Sequence, residues 1–160
     1  MQRVYIDTCI VSGLAKSDLK PAEQIASERL ACFAQESRVS LVSSHIAREE
    51  LEKVPSQYRD PHLAQYALLG ELSSARTTWL DPIKAEAASD PVYLALSSTL
   101  PDQMDAEHIF QAYNSGLTAF ITTDEKTILP YREAIRQISH VNAMLPTEFL
   151  AGSSLTSACS

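Results

Sequence analysis

The pattern of apolar and polar positions alternates along the chain between one typical of strands and one typical of helices. Short β-branched or aromatic runs that end at polar turns predict strands at residues 2–7, 39–42, 77–80, 119–122 and 140–144. Apolar residues that recur every three to four positions predict helices at residues 21–36, between Ser44 and Pro55, and at 61–77, 102–116, 130–137 and 146–150. The stretch 83–100 is helical only in pieces, with breaks near Pro91 and at Pro101.

Alternating strands and helices predict an α/β fold of three layers, with a mostly parallel, twisted sheet flanked by helices on both faces. We assign residues 1–150 to one domain and expect the Ser-rich residues 151–160 to form a disordered tail. Ligands of such sheets bind beyond the carboxyl ends of the strands. Asp7 and Asp124 follow two of the predicted strands, so we expect the functional site at that edge.

The composition narrows the class of protein. A chain of 160 residues with 45% apolar residues fits one globular domain. Its 13 basic and 20 acidic residues give a net charge of −7, which argues against a protein that coats nucleic acid by bulk positive charge but leaves a nucleic-acid enzyme open. Between Asp81 and Pro130, eight acidic residues and two basic ones contribute −6 of that charge.

The sequence also bounds the location of the protein. It contains no apolar run of membrane-spanning length, and Asp7 comes too early for the apolar region of a signal peptide. Three cysteines, far apart and odd in number, suit neither a disulfide framework nor a zinc site. We therefore expect a cytoplasmic protein with reduced thiols and no membrane partner.

Four acidic residues adjoin predicted strands at positions from which they can reach one crevice, namely Asp7, Glu50, Asp105 and Asp124. Converging carboxylates repel one another unless a cation neutralises them. Their oxygens are hard ligands, and no His or Cys accompanies them at ligand spacing, so Mg²⁺ or Mn²⁺ is favoured over zinc. The chemistry expected of such a centre is metal-assisted hydrolysis of a phosphate ester.

The order and spacing of these acids resemble those of the PIN-domain nucleases, and among them the VapC-type toxin ribonucleases of bacterial toxin–antitoxin pairs. The resemblance covers about residues 2–150, and four segments carry it: Val4-Tyr5-Ile6-Asp7-Thr8, the helix start Ser44 to Leu51, Asp105 to Ala112, and Thr122-Thr123-Asp124. Two features depart from the family pattern. Cys9 stands where the family usually has Asn, and residues 83–100 are longer and less regular than in a minimal toxin.

The resemblance implies a PIN-like fold and a metal-dependent endoribonuclease that leaves 5′-phosphate and 3′-hydroxyl ends. Asp7, Asp105 and Asp124 would coordinate Mg²⁺ or Mn²⁺, and Glu50 would complete or order the site. RNA would be the substrate and a separately encoded antitoxin the partner, with a homodimer left open.

Other polar residues are candidates for supporting roles. Thr8, Ser44 and Thr122 can orient carboxylates through hydroxyl hydrogen bonds, or only cap turns and helices. For His108 we expect a packed or supporting role in preference to that of a general base. The candidate phosphate contacts are Arg48 and Lys126, for which ordinary surface charge is the alternative.

Each acid also has an ordinary structural explanation. Asp7 and Asp124 can cap a following helix or turn. Glu50 lies in a charged run typical of a solvated helix face, with Glu49 one position away. Asp102, three residues before the third acid, has the same ligand chemistry.

Two rival functions follow from the same residues. A degenerate PIN fold would bind RNA or protein without cutting. A haloacid-dehalogenase-like phosphatase also places an Asp after its first strand, but that chemistry requires a second Asp two residues later, where this chain has Cys9. The phosphatase is therefore the weaker rival.

Overall fold

The computed structural model describes residues 1–72, 79–80 and 88–155. Within that part the strands are β1 (Gln2–Ile6), β2 (Val39–Ser44), β3 (Trp79–Leu80), β4 (Ala119–Ile121) and β5 (Asn142–Met144). They form a sheet of order β3-β2-β1-β4-β5 in which every described neighbouring pair is parallel. The helices are α1 (Thr8–Lys16), α2 (Pro21–Gln35), α3 (His45–Lys53), α4 (Ser56–Leu72), α5 (Pro91–Thr99), α6 (Gln103–Asn114), α7 (Arg132–Ser139) and α8 (Pro146–Gly152).

Helices cover both faces of the sheet because side chains along each strand alternate between the faces. On β1, Val4 and Ile6 belong to one buried cluster and Tyr5 to the other. The first cluster takes its helical residues mainly from α1, α2 and α8, and the second from α5, α6 and α7. The predicted three-layer α/β fold with a parallel sheet is confirmed.

Among the described elements, helix α1 is not predicted by the apolar pattern and is anticipated only as a helix that Asp7 could cap. Its β-branched residues and its glycine have low helix propensity, so packing of Ile10 and Val11 into the core stabilises it instead. A Cβ at Gly13 would overlap the side chain of Leu19, which would have to shift to admit it. The loop after α1 therefore folds back directly over the helix.

Several predicted boundaries shift. In the irregular stretch 83–100, α5 begins after Asp90, whose carboxylate accepts a hydrogen bond of 2.7 Å from the Val92 amide. The helix predicted from residue 61 begins earlier and continues through Pro61, while the predicted ends at 73–78 lie outside the described residues. Helix α8 runs two residues past the expected domain boundary, and Leu155 packs against the core; residues 156–160 also lie outside the described part.

The structure can be compared with two expectations drawn from the sequence, one on membrane-spanning segments and one on the state of the thiols. In the part of the chain that is described, no helix is long and apolar enough to cross a membrane. Cys9 is a free thiol, as expected.

A buried carboxylate links α2 to the start of α8. Glu23 is 7% exposed and accepts hydrogen bonds from the Thr147 amide (3.1 Å) and hydroxyl (2.7 Å). We expect Glu23→Ala to lower the free energy of unfolding by about 1–2 kcal/mol, because Thr147 and the positive end of α8 lose their partner. Urea denaturation would measure this against Glu28→Ala, an exposed site on the same helix. Equal midpoints for the two variants would contradict a stabilising role for Glu23.

Candidate functional site

The carboxyl edge of the sheet brings the predicted site residues into one region. Asp7 directly follows β1, and Asp124 follows the neighbouring strand β4. Glu50 lies on α3, which begins where β2 ends, and Asp105 lies in the first turn of α6. The parallel arrangement therefore places acids from distant parts of the sequence beside one another.

Asp7 is held by side chains from two directions. It occupies the N-cap position of α1, yet its carboxylate makes no capping hydrogen bond. Instead, Oδ2 accepts hydrogen bonds from the Thr122 hydroxyl (2.6 Å) and the Cys9 thiol (3.0 Å). Burial raises the pKa of Asp7, against the lowering effects of His108 and of these two donors. The capping alternative therefore does not describe the contacts that this carboxylate makes.

Cys9 is the second hydrogen-bond donor to the carboxylate of Asp7. Besides donating to Asp7, its sulfur accepts hydrogen bonds from the Thr123 amide (3.2 Å) and hydroxyl (3.3 Å). Burial, with the charge of Asp7, raises the pKa of the Cys9 thiol well above its usual range. The residue therefore stays protonated and continues to donate to the carboxylate.

Asp105 carries the least compensated charge of the region. Its Oδ2 is buried and has no hydrogen-bond partner. Burial, opposed by the Thr127 hydroxyl, raises the pKa of Asp105 to about 6, and three neighbouring carboxylates add to the increase. These neighbours are Asp7, Asp102 and Asp124. An unpaired buried carboxylate oxygen is costly unless a cation or a donor meets it.

Asp102 and Asp124 have their carboxylates engaged in local structure. Asp102 caps α6 by accepting a hydrogen bond of 2.7 Å from the Met104 amide. In Asp124, Oδ1 accepts from the amides of Lys126 and Thr127, and Oδ2 accepts from the Thr127 hydroxyl, all at 2.7 Å. Burial alone would raise the pKa of Asp124, but these bonds lower it. Asp124 thus caps its turn and also stays charged next to the other acids.

Glu50 and Glu49 differ clearly in their surroundings. Glu49 is exposed, whereas Oε2 of Glu50 accepts hydrogen bonds from the Thr8 hydroxyl and from Nε2 of His108, the latter at 3.1 Å. Burial would raise the pKa of Glu50, but His108, Thr8 and the positive charge of Lys53 lower it. Of the two glutamates, Glu50 is the one that lies among the site residues.

A buried chain of hydrogen bonds continues from Glu50 into the core. His108 is 1% exposed, and its Nδ1 lies 2.7 Å from the Tyr5 hydroxyl, which lies 2.6 Å from Oγ of Ser44. Ser44 also accepts the Ile46 amide at the start of α3. Burial would lower the pKa of His108, but its bond to Glu50 and nearby acids raise it.

The sequence predicts Tyr5 only as a strand residue, and Ser44 as a residue that orients a carboxylate or caps a turn or helix. Thr8 and Thr122 do hydrogen bond to site carboxylates, whereas Ser44 caps α3 and bonds to Tyr5. One signal for Tyr5 was present in the sequence, because a tyrosine hydroxyl in a buried strand needs a partner. Thr127, which bonds to Asp124, left no comparable signal.

The candidate ligand atoms of this region suit a hard cation. They are carboxylate and hydroxyl oxygens, and the unpartnered Oδ2 of Asp105 is buried among other acids. Across the described residues, however, no three side chains of His, Cys, Asp or Glu stand close enough to hold one ion together. The region is therefore a set of electrostatically coupled acids that is not assembled into a coordination shell.

Of the two candidate phosphate contacts, the structure describes the side chain of Lys126. Lys126 is exposed in the turn that Asp124 caps. The side chain of Arg48 lies outside the described part of the structure.

Comparisons of the chain with protein-family models, with curated proteins and with solved structures found no match. The resemblance to the PIN-domain nucleases therefore stays a prediction from the residues quoted above.

Proposed function

We propose that the protein is a PIN-like endoribonuclease that depends on Mg²⁺ or Mn²⁺. The observation that carries the proposal is the buried Oδ2 of Asp105, which has no hydrogen-bond partner and lies among carboxylates that raise its pKa. A divalent cation would satisfy this oxygen and neutralise its neighbours at once.

The four acids would have different roles in binding the ion. Asp7, Asp105 and Asp124 would coordinate it, and Glu50 would complete or order the set. Bound there, Mg²⁺ or Mn²⁺ would supply an acidified water and neutralise charge that develops on a phosphodiester. Thr122 would keep Asp7 in place through its hydrogen bond, as outer partners of ligands commonly do.

The proposal requires the carboxylates to approach one another when the ion binds, because no three stand together within the described residues. Rotation of the Asp105 side chain would break no hydrogen bond of its Oδ2, which has no partner. Asp7 and Asp124 are fixed by their own hydrogen bonds. Asp105 would therefore move towards the other two.

RNA is the proposed substrate, and Lys126, exposed in the turn that Asp124 caps, would contact its phosphates. The same resemblance supports a role as the toxin of a toxin–antitoxin pair, with a separately encoded antitoxin as partner. A homodimer and a cytoplasmic location belong to the same proposal.

A second candidate is a module that binds RNA or protein without cutting it. The lack of three assembled ligands among the described residues favours this function. It predicts RNA binding that is independent of divalent metal. No observation favours the phosphatase, because the position of its second acid is occupied by the thiol of Cys9.

Cleavage assays would test the nuclease directly. We expect purified protein to cut total RNA or a tRNA pool with millimolar Mn²⁺ or Mg²⁺ and not with EDTA, because the acids bind RNA phosphates only through the ion. We also expect Mn²⁺ to raise the melting temperature, since the ion binds the folded state alone. Intact RNA and an unchanged melting temperature would reject the proposal, and RNA binding without cleavage would establish the second candidate.

A further inference from the structure

We propose that Tyr5 is a positioning residue for Glu50 and acts through His108. This inference rests on the proposed function, in which Glu50 completes or orders the metal site. The Tyr5 hydroxyl hydrogen bonds to Ser44 and to His108, and His108 in turn hydrogen bonds to Glu50.

The chain of contacts joins four elements at one buried point. Ser44 ends β2, Tyr5 lies on β1, His108 on α6 and Glu50 on α3. Ser44 and Tyr5 are 0% exposed and His108 is 1% exposed. Since buried polar groups of this kind are costly without partners, each hydrogen bond restricts the position of the next side chain.

The chemistry of the four groups sets the direction of the hydrogen bonds. The carboxylate of Glu50 only accepts, so Nε2 of His108 carries the proton between them. In the neutral ring, Nδ1 then accepts from Tyr5, which accepts from Ser44 in turn. In the charged ring, Nδ1 donates to the same Tyr5 oxygen. The orientation of the imidazole is therefore the same in both forms.

The ring of Tyr5 is itself fixed, which makes its hydroxyl a firm reference point. It stacks on Phe120 with a centroid distance of 5.0 Å and an interplanar angle of 11°. It meets the imidazole of His108 edge to face, at 5.7 Å and 74°. The hydroxyl therefore stays in place and prevents the imidazole from turning away from Glu50.

Tyr5→Phe isolates the hydroxyl from the ring. It retains the stacking on Phe120 and removes both hydrogen bonds of the hydroxyl. We expect the apparent affinity for Mn²⁺, measured by electron paramagnetic resonance of the free ion, to weaken about tenfold, and RNA cleavage to fall about 10- to 100-fold.

Tyr93→Phe is the matched control. Tyr93 packs against the same core cluster as Tyr5, and its hydroxyl bonds only to Gln103 (3.2 Å) and Glu107 (3.4 Å). We expect wild-type Mn²⁺ affinity and cleavage from this variant. Equal losses in Tyr5→Phe and Tyr93→Phe would overturn the inference, because both would then reflect a general loosening of the core.

A double-mutant cycle separates positioning from support of the fold. If Tyr5 acts through Glu50, Tyr5→Phe adds no further loss of Mn²⁺ affinity in a Glu50→Gln protein. Losses that multiply in the double variant would overturn the inference. Should Tyr5→Phe not fold, as judged by circular dichroism, Ser44→Ala removes the hydroxyl that pairs with Tyr5 and takes its place in the same cycle, with the same two outcomes.

The wild-type protein distinguishes the two proposals. Without Mn²⁺ binding and cleavage by wild type, the proposed function fails and this inference fails with it. With both present in wild type and unchanged in Tyr5→Phe, only the role of Tyr5 is rejected.

Discussion

Asp7→Asn is expected to lower metal-dependent RNA cleavage by about a thousandfold or more, an effect typical of removing a group on which charge stabilisation at an active site depends. Asp7 is 5% exposed and lies between Thr122 and Cys9, both of which donate to its Oδ2. An amide oxygen at that position still accepts these two hydrogen bonds, so the geometry is retained. The variant loses only the negative charge that the ion requires.

The fold of this variant should be at least as stable as wild type, because burial raises the pKa of Asp7 and so disfavours its charged form. Asp18→Asn removes the same charge from an exposed residue close in sequence. We expect its cleavage rate to stay within about twofold of wild type, as is usual for surface positions. Gel assays of both proteins measure the difference, and wild-type cleavage by Asp7→Asn would refute the assigned site.

Asp105→Asn is expected to change activity and stability in opposite directions. Cleavage should fall by about 100-fold or more through loss of a metal ligand. In metal-free buffer at pH 7.5, the free energy of unfolding should rise by about 1 kcal/mol, a value reduced for the partial exposure of the side chain. The cause is the unpartnered buried Oδ2, whose charge the variant removes.

The pH dependence follows from the direction of the pKa shift. The folded-state pKa of Asp105, about 6, lies above its ordinary value of 3.8. Ionisation therefore destabilises the fold, fully above about pH 6 and not at all below the ordinary pKa. The advantage of Asp105→Asn should accordingly grow as the pH rises from about 4 to above 6 and then level off.

Chemical denaturation across that pH range, in EDTA, measures the stability of wild type and variant. Glu107→Gln, on the same helix, is the control, because it removes a carboxylate that has hydrogen-bond partners in Tyr93 and Gln103. We expect no gain in stability from it. A variant of Asp105 that is no more stable than wild type at pH 7.5 would show that its charge is already compensated in the folded protein.

The fold could be predicted largely from strand-forming runs and helical periodicity, because burial on both faces of a parallel sheet leaves continuous apolar segments such as Ala119–Ile121. Helix α1 escaped prediction because its stability comes from tertiary packing of Ile10 and Val11 and not from local propensity. The start of α4 also differs from the prediction, since the helix begins at Ser56 and Pro61 lies inside it.

The acids of the candidate site could be predicted because each follows a recognisable element. Their supporting contacts could not, since they join residues far apart in sequence: Tyr5 and His108 are 103 positions apart, and Thr8 and Glu50 are 42 apart. No local pattern reports which hydroxyl meets which carboxylate. The choice between Asp102 and Asp105 likewise needed coordinates, because it depends on which carboxylate caps α6.

The pairing of β1 with β4 has a consequence for the synthesis of the protein. The hydrogen bond between Asp7 and Thr122 spans 115 positions, so a ribosome adding about 5–20 residues per second needs about 6 to 23 s to pass from one to the other. Until residue 121 has been added, the nascent chain carries Asp7 and soon β2, but it lacks a complete β4 and Asp124. The proposed nuclease would therefore lack a complete set of ligands, and could not cut the RNA of its own translation machinery, until Asp124 has been added.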